Sequence, residues 1–504
     1  MPEYANCVQW ESFEPQVDVS SEFREIAGDF GDPLEIVREA ISNAFDAQAT
    51  EIRILFEVRQ IRGNGRLVIE FEDNGKGMAF DVLKGHFWGL GQSTSREDPD
   101  KIGEKGHGTK IFLRSENVYV KTQTEVEACE SVCERPWESL GTNQMHKPSI
   151  RRTEKWRDGT GTLVVVEGYN DNERSLFTSS VVRDYIYWFT KFGSIELLAG
   201  RHGSEGLRIK LRCLDAPGYE ELDFGHRFPH ENSNAEQLFA TLGPNAADYF
   251  VKRFLYLDQR LEDMPEVSYD MIFSIEGDQA KRAYNPLLRD RARKGKGTYK
   301  VGDRYGIWLC KDYIPVQRVN EWITGFGTGS NSYTLLHGFI NCQHLKLTAN
   351  RGSVKNTSTK LLEAIRSDFG ARLDEIDKDL SGNGIFTLFD WQSEQRTQAQ
   401  EKGDFERRRK IISTKKRATF DGLELFEPNN EAELFGLFME IYSKSPGSFH
   451  FEPLDYSTSR GIDMVCRVKT ANGVTDPEFS YLELKYLLKM NIKLAPAWRQ
   501  ALCK

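Results

Sequence analysis

Asp73-Asn74-Gly75-Lys76-Gly77-Met78 decides the reading of this chain, because it closes an alternating run and stands between two other spaced boxes. Upstream lies Glu39-x-x-x-Asn43, and downstream Gly103-x-x-Gly106-x-Gly108-Thr109-Lys110. Leu67, Ile69 and Phe71 alternate with polar residues ahead of Asp73, as Ile52, Ile54 and Phe56 do before them, a period that predicts two antiparallel strands. The stretch from Asp32-Pro33 to Gln48-Ala49-Thr50 predicts a helix, with Asp32 as its cap and Pro33 in its first turn. Glu39 and Asn43 are four residues apart and share a face of that helix, and Asp46 lies one further turn along it.

Each box offers a different part of one chemistry. A carboxylate beside an amide can polarise a water while the amide oxygen holds a hard cation, as metal-assisted phosphate hydrolysis requires. A carboxylate at a strand end, here Asp73, can accept a hydrogen bond from an adenine amino group, and Gly75 and Gly77 permit a tight turn and close ligand approach. Residues 82–102 hold Gly85, Gly89, Gly91 and Ser93-Thr94-Ser95, a composition suited to a mobile flap. In the third box, closely spaced glycines with His107 and Thr109 precede a short helix, so that main-chain N–H groups can face phosphates and Lys110 can add charge. Gly159-Thr160-Gly161-Thr162 runs into a strand over Leu163 to Glu167 and can bring the Thr162 hydroxyl beside Asp73. Alone, Glu39-x-x-x-Asn43 describes an ordinary solvated helix face and Asp73 to Gly77 an ordinary turn; the ordered set has no such bland equivalent.

These residues resemble the GHKL ATPases, the superfamily of gyrase-type topoisomerases, MutL, MORC proteins, sensor histidine kinases and the ninety-kilodalton heat-shock chaperone. The likeness covers residues 20–170 and implies an α/β sandwich that binds ATP and Mg²⁺. By that resemblance Glu39 is the general base, Asn43 the magnesium ligand, and Asp73 with Thr162 the adenine reader. Gly103, Gly106 and Gly108 form the phosphate loop and the hinge of the ATP lid. No G-x-x-x-x-G-K-[ST] stretch is present, so the P-loop type is not expected. Membership leaves function open, because kinases, chaperones and DNA machines share such a pocket. The residues ahead of the first box contain no His, which argues against a sensor kinase with its phospho-accepting hairpin.

A second stretch, Leu336 to Arg351, resembles the middle-domain segment of the heat-shock chaperone, in which an Arg reaches the γ-phosphate, and Gly306 to Val316 resembles a strand-turn-strand of the same α/β transducer-like domain. The phosphate-sensing role is thereby carried to Arg351, with Lys346 and Lys311 as weaker candidates. A guanidinium delivered by a second domain couples chemistry to movement; a surface salt bridge is the competing reading. The chaperone has acidic residues where this chain has Asn341, Gln343, His344 and Gly352.

The C-terminal part offers different chemistry. Residues 391–419 are rich in Gln, Glu, Lys and Arg, including Arg407-Arg408-Arg409-Lys410 and Lys415-Lys416-Arg417, and read as a helical linker or basic arm. Beyond them the pattern predicts a helix over Glu431 to Ile441, a strand over Gly461 to Val468 carrying Asp463, and a strand over Tyr481 to Leu487 carrying Glu483-Leu484-Lys485. Two carboxylates at adjacent strand ends can bind Mg²⁺ or Mn²⁺, and a Lys two residues after the second shares its sheet face and can position a water. The order resembles the PD-(D/E)xK nuclease core, a restriction-endonuclease-like α/β fold, with Glu433 as a helix carboxylate near the metal. A β-hairpin with exposed charges is the plainer reading. Nineteen residues follow Lys485, fewer than that fold usually uses, so an incomplete module is expected.

Length allows three or four domains, expected at 1–190 (ATP-binding), 191–385 (transducer-like), 386–425 (charged helical linker) and 426–504 (nuclease-like). Met1-Pro2-Glu3-Tyr4 does not open a signal peptide and no long apolar run is present, so a cytoplasmic protein without a membrane partner is expected. The eight cysteines are scattered; Cys129-x-x-x-Cys133 has no second Cys/His pair nearby, and reduced thiols are expected instead of zinc. A net charge of −9 argues against wholesale coating by nucleic acid, yet residues 289–297 and 407–417 form local basic patches. The combined expectation is an ATP-driven switch, dimerising on ATP, that controls a DNA-acting nuclease-like module in prokaryotic genome defence or repair. A chaperone-like or MORC-like clamp that binds without cutting is the alternative.

Overall fold

The computed structural model describes residues 12–15, 17–61, 63–90, 108–201, 206–289, 295–326, 332–348, 352–456, 464–469, 475–482 and 484. It divides into two compact units, Met1–Gln392 and Ser393–Lys504.

The first unit opens with helices Val19–Gly28 and Glu35–Asp46 and the antiparallel strands β1 (Glu51–Ile61) and β2 (Asn64–Asp73). Their register sets Ile54 against Phe71 and Phe56 against Ile69, so the alternating residues share one buried face. Ile36, Val37, Ala40, Ile41 and Ala44 of helix Glu35–Asp46 are buried with that face in a single core. The helix starts later than Asp32 and Pro33 predict: Leu34 is the N-cap without a side-chain bond, while Asp32 Oδ1 accepts from Leu34 N at 2.9 Å in a preceding turn. The Asx bond satisfies an early amide and leaves Pro33 outside the helix.

Strands β3 (Asn117–Gln123), β4 (Ala128–Glu134), β5 (Ser149–Thr153), β6 (Gly161–Glu167), β7 (Arg208–Arg212) and β8 (Glu220–Leu222) complete an eight-stranded sheet in the order β5-β4-β3-β6-β2-β1-β7-β8. β7 lies parallel to β1, so this sheet takes in chain well past residue 190.

A second sheet, β12-β11-β13-β10-β9, is built from β9 (Val251–Leu261), β10 (Met264–Glu276), β11 (Gly306–Lys311), β12 (Ile314–Arg318) and β13 (Leu336–Cys342). β11 and β12 form the strand-turn-strand expected over 306–316, with Asp312 and Tyr313 at φ 54° and 61° in its turn. Helix Thr359–Gly382 is capped by Ser358 and buries Leu361, Ile365, Phe369, Leu373, Ile376 and Leu380 in one stripe, in the same core as Met271 and Phe273 of β10.

Helix Ile385–Thr414 spans the boundary between the units. In the second unit, β14 (Arg417–Phe420) pairs with β15 (Leu423–Phe426), followed by helix Glu431–Lys444 and a three-stranded sheet of β16 (Phe451–Tyr456), β17 (Met464–Lys469) and β18 (Thr475–Leu482). Phe438 stacks on Phe451 with ring centroids 5.9 Å apart, fixing the helix on this sheet.

Gly338 sits mid-way along β13, where a Cβ would meet Phe273 at 2.7 Å and overlap Ile307. Gly338→Ala is therefore expected to destabilise the second sheet by about 1–3 kcal/mol through overpacking, read as a lower thermal midpoint.

Candidate functional site

Helix Glu35–Asp46 places Glu39 and Asn43 one turn apart: the Glu39 side chain is 7% exposed, while Asn43 is open to solvent. Beside Glu39, Arg38 Nε stands 3.6 Å from Glu39 Oε1, and Arg38 Nη2 stands 3.5 Å from Glu35 Oε1. Both nitrogens are buried without a hydrogen-bond partner, so the guanidinium is held by charge between two carboxylates with bonding capacity to spare. Burial raises the Glu35 carboxyl to about 7, against the opposing pull of Arg38.

The turn after β2 is stitched to the C-terminal end of the same helix. Lys76 N donates to Ala47 O at 3.0 Å, and Asn74 Oδ1 accepts from Thr50 N and Glu51 N, each at 2.8 Å. Gly75 is buried there, and a Cβ on it would fall 2.6 Å from Ala47 Cβ. Gly77 adopts φ +69° and packs on Gln123 O where no side chain fits. Asp73 Oδ1 accepts from Gly75 N at 2.8 Å, yet burial outweighs this bond and Arg157 and raises the carboxyl to about 6.

Thr162 lies opposite Asp73 in the β2–β6 register and opposite Thr122 in the β3–β6 register. Its hydroxyl is 3.1 Å from that of Thr122, which in turn accepts from Met78 N at 2.8 Å. Asp73, Thr162, Thr122 and Met78 thus form a connected polar patch at one end of the sheet. Thr122, Arg157 and Arg38 are additions to the residues expected from sequence, and Asn74, within the quoted box, gains a role in tying the turn to Thr50 and Glu51. Arg157 Nη1 donates to Asp73 O at 2.9 Å.

The third box is described from Gly108, at the start of a 3₁₀ turn, Gly108–Leu113. A Cβ at position 108 would overlap the Glu39 carboxylate, so glycine there brings main chain directly against the buried acid. Thr109 Oγ1 donates to Phe87 O at 2.9 Å. Lys110, expected to add charge toward phosphate, is 1% exposed in this structure, and its ammonium donates to Phe87 O at 2.7 Å and Thr109 Oγ1 at 2.8 Å. Burial pulls its pKa down to about 7. Gly103, Gly106 and His107 lie outside the described residues, as does Arg351. Lys346 is exposed and Lys311 half-buried at the end of β11.

In the second unit, Glu433 accepts from Asn429 N at 2.7 Å and pairs with Lys415, while Asn430 Oδ1 caps the helix by accepting from Glu433 N at 2.9 Å. Its carboxylate serves here to close a helix N-terminus. Asp463, Glu483 and Lys485 lie outside the described residues; their described chain neighbours Met464 and Leu482 are paired across β17 and β18. Among the described residues, no three His, Cys, Asp or Glu side chains gather in a metal-binding group.

Residues 33–155 match the family model described as histidine kinase-, DNA gyrase B-, and HSP90-like ATPase. No match is found among curated proteins. The match spans Glu39, Asn43, the Asp73 turn and Gly108, and it supports a GHKL-type ATPase domain with ATP-dependent activity in this part of the chain. The donor set fits that chemistry: an open amide oxygen at Asn43 suits Mg²⁺ shared with phosphate oxygens and water, beside a buried carboxylate. Among the described residues no helix is long and apolar enough to cross a membrane.

Two outcomes follow from these contacts. Gly108→Ala is expected to displace Glu39 and lower ATP turnover at least about tenfold, measured by phosphate release. Asp73→Asn is expected to remove ATP binding yet stabilise the ligand-free protein by about 1–3 kcal/mol at pH 8. A carboxyl whose folded pKa is raised favours folding below its unfolded pKa and loses that contribution as pH rises through about 6. The gain should therefore shrink between pH 6 and 4, as thermal melts at several pH values will show.

Proposed function

We propose that this chain is an ATP-hydrolysing conformational switch controlling a DNA-acting, metal-dependent nuclease-like module. The contact between the Glu39 carboxylate and Gly108 supports it most strongly, because it unites the acid and the phosphate-loop box at one point.

Asp73 reads the adenine amino group, assisted by Thr162 through the Thr122–Met78 network. Asn43 would hold Mg²⁺, which when bound would supply neutralisation of charge on the phosphate oxygens. Glu39, little hydrated and flanked by Arg38, accepts the proton of the water that attacks the γ-phosphate, yielding ADP and inorganic phosphate. The glycines beside the site bring main-chain N–H groups close to the phosphates. Arg351 then serves as phosphate sensor, and two chains close on each other when ATP is bound.

The pairing of Met464 with Leu482 brings the chain neighbours of Asp463 and Glu483 onto one strand pair, in line with the nuclease-like reading, but β18 runs over Thr475–Leu482 and Leu484 is in no strand, so the strand expected over Tyr481 to Leu487 is not the one formed. The exposed cations Arg407, Arg408, Arg409, Lys410, Lys416 and Arg417 offer phosphate contacts for DNA, distributed around the helix and the strand that follows it.

Glu39→Ala should lower phosphate release at least about a hundredfold while calorimetry shows ATP affinity within a few-fold of wild type. Unchanged turnover would remove Glu39 from the mechanism. Asp463→Ala and Lys485→Ala should each abolish Mg²⁺- or Mn²⁺-dependent cleavage of DNA and leave ATP turnover intact. A wild-type chain that holds DNA in an ATP-dependent way and never cuts it would establish the clamp instead.

A further inference from the structure

The chain between β5 and β6, residues 154–160, runs past the Asp73 end of β2, and two side chains pin it there. Gln123, the last residue of β3, is 1% exposed and commits its amide to this segment. Its Oε1 accepts from Trp156 N at 2.9 Å, and its Nε2 donates to Arg157 O at 2.8 Å and to Gly159 O. A main-chain N–H at one end of the amide and two carbonyls at the other leave it a single orientation. The main-chain carbonyl of Gln123 is also the surface on which Gly77 packs, and Gly161 faces Gln123 in the β3–β6 register. One buried residue therefore joins the turn after β2 to the segment that follows β5.

Arg157 completes the tie. Its Nη1 donates to Asp73 O at 2.9 Å and stands 3.5 Å from Glu72 Oε1, and its guanidinium lies 5.2 Å from the centre of the Trp156 ring. Gly161 admits this approach, because a Cβ there would overlap Asp73 O and come within 2.5 Å of Arg157 Nη1. The next residue, Thr162, carries the hydroxyl of the polar patch and faces Asp73 across the β2–β6 register. The bond from Arg157 is made to the peptide from which the Asp73 carboxylate projects. A side chain that reads one edge of a base discriminates only as well as its own main chain is held, since hydrogen bonds weaken steeply when their angle is lost. Burial raises the Asp73 carboxyl and the Arg157 charge opposes that rise, so the same guanidinium also favours the ionised acceptor.

We infer that Arg157, anchored through Gln123 and admitted by Gly161, is a positioning residue that sets the choice of base: it holds the Asp73 main chain so that the carboxylate meets the amino group of adenine and rejects a carbonyl oxygen in its place. This deepens, and rests on, the reading of Asp73 as the adenine reader. It gives the segment between β5 and β6 a part in nucleotide selection although it supplies none of the three boxes.

The test measures Kd for ADP and for inosine diphosphate, which carries a carbonyl oxygen where ADP carries the amino group, by competition calorimetry in Mg²⁺ on the full chain. Wild type is compared with Arg157→Met, Arg157→Lys and Asp73→Asn. Arg157→Met should weaken ADP about tenfold and inosine diphosphate by less than about twofold, so that the preference for ADP falls about tenfold. Arg157→Lys, which keeps a donor and a charge for Asp73 O, should hold the preference within about threefold of wild type. Glu72→Gln loosens the guanidinium without altering either partner of the Asp73 bond and should lower the preference about threefold; it decides the matter if thermal melts show that Arg157→Met does not fold. Equal weakening of the two ligands in Arg157→Met, or a wild-type preference in Arg157→Met or, where that variant does not fold, in Glu72→Gln, would overturn the inference while leaving Asp73 its role. Asp73→Asn that still binds ADP with the wild-type preference would overturn the reading of Asp73 and the inference with it.

Discussion

The Glu39 carboxylate occupies space that a side chain at residue 108 would need, and the candidate site is arranged around that contact. A buried acid must be balanced, and here the balance comes from Arg38 on the same helix. The helix is fixed by its apolar stripe on the β1–β2 face, and its end is fixed by the Asn74 and Lys76 bonds. Glu39, the turn and Gly108 therefore cannot shift independently. The same rigidity leaves Arg38 with unused hydrogen-bonding capacity at the place where a nucleotide's charge is expected.

Burial disfavours the charged form of several polar groups of the candidate site. Asp73, Glu35 and Lys110 all have their neutral forms favoured by burial. For Asp73 this is a stability loss concentrated within the candidate site, offset by the surrounding core. Lys110 shows the opposite use of a cation, spending its donors on carbonyls of residues that precede the third box in the chain.

Much of the first sheet was legible because its residues obey a period of two and its turn carries glycines with steric reasons to be there. Ile52, Ile54, Phe56, Leu67, Ile69 and Phe71 all face the core as the alternation requires, and the 306–316 strand-turn-strand follows the same logic. The helix start was misplaced because an Asx turn at Asp32 imitates a cap. Thr122 was not legible, since its nearness to Met78 and Thr162 depends on the β3–β6 register and not on spacing. Arg38 was in view, one residue before Glu39, but only burial shows that it faces the carboxylate. β7 could not be assigned to the first sheet from sequence, because a parallel partner more than a hundred residues away leaves no local pattern. Gln123 and Arg157 likewise acquire meaning only through the contacts that bring the segment after β5 against Asp73.

The central claim is that the Asp73 turn, Glu39 and Gly108 form one adenine-nucleotide site. Calorimetric titration of the full chain in Mg²⁺ with non-hydrolysable analogues of ATP and of GTP tests it most directly. An adenine amino group donates to the Asp73 carboxylate, whereas guanine presents a carbonyl oxygen at that ring position, so the account predicts binding of the ATP analogue and at least about a hundredfold weaker binding of the GTP analogue. Equal affinity for the two, or no binding of the ATP analogue, would contradict it.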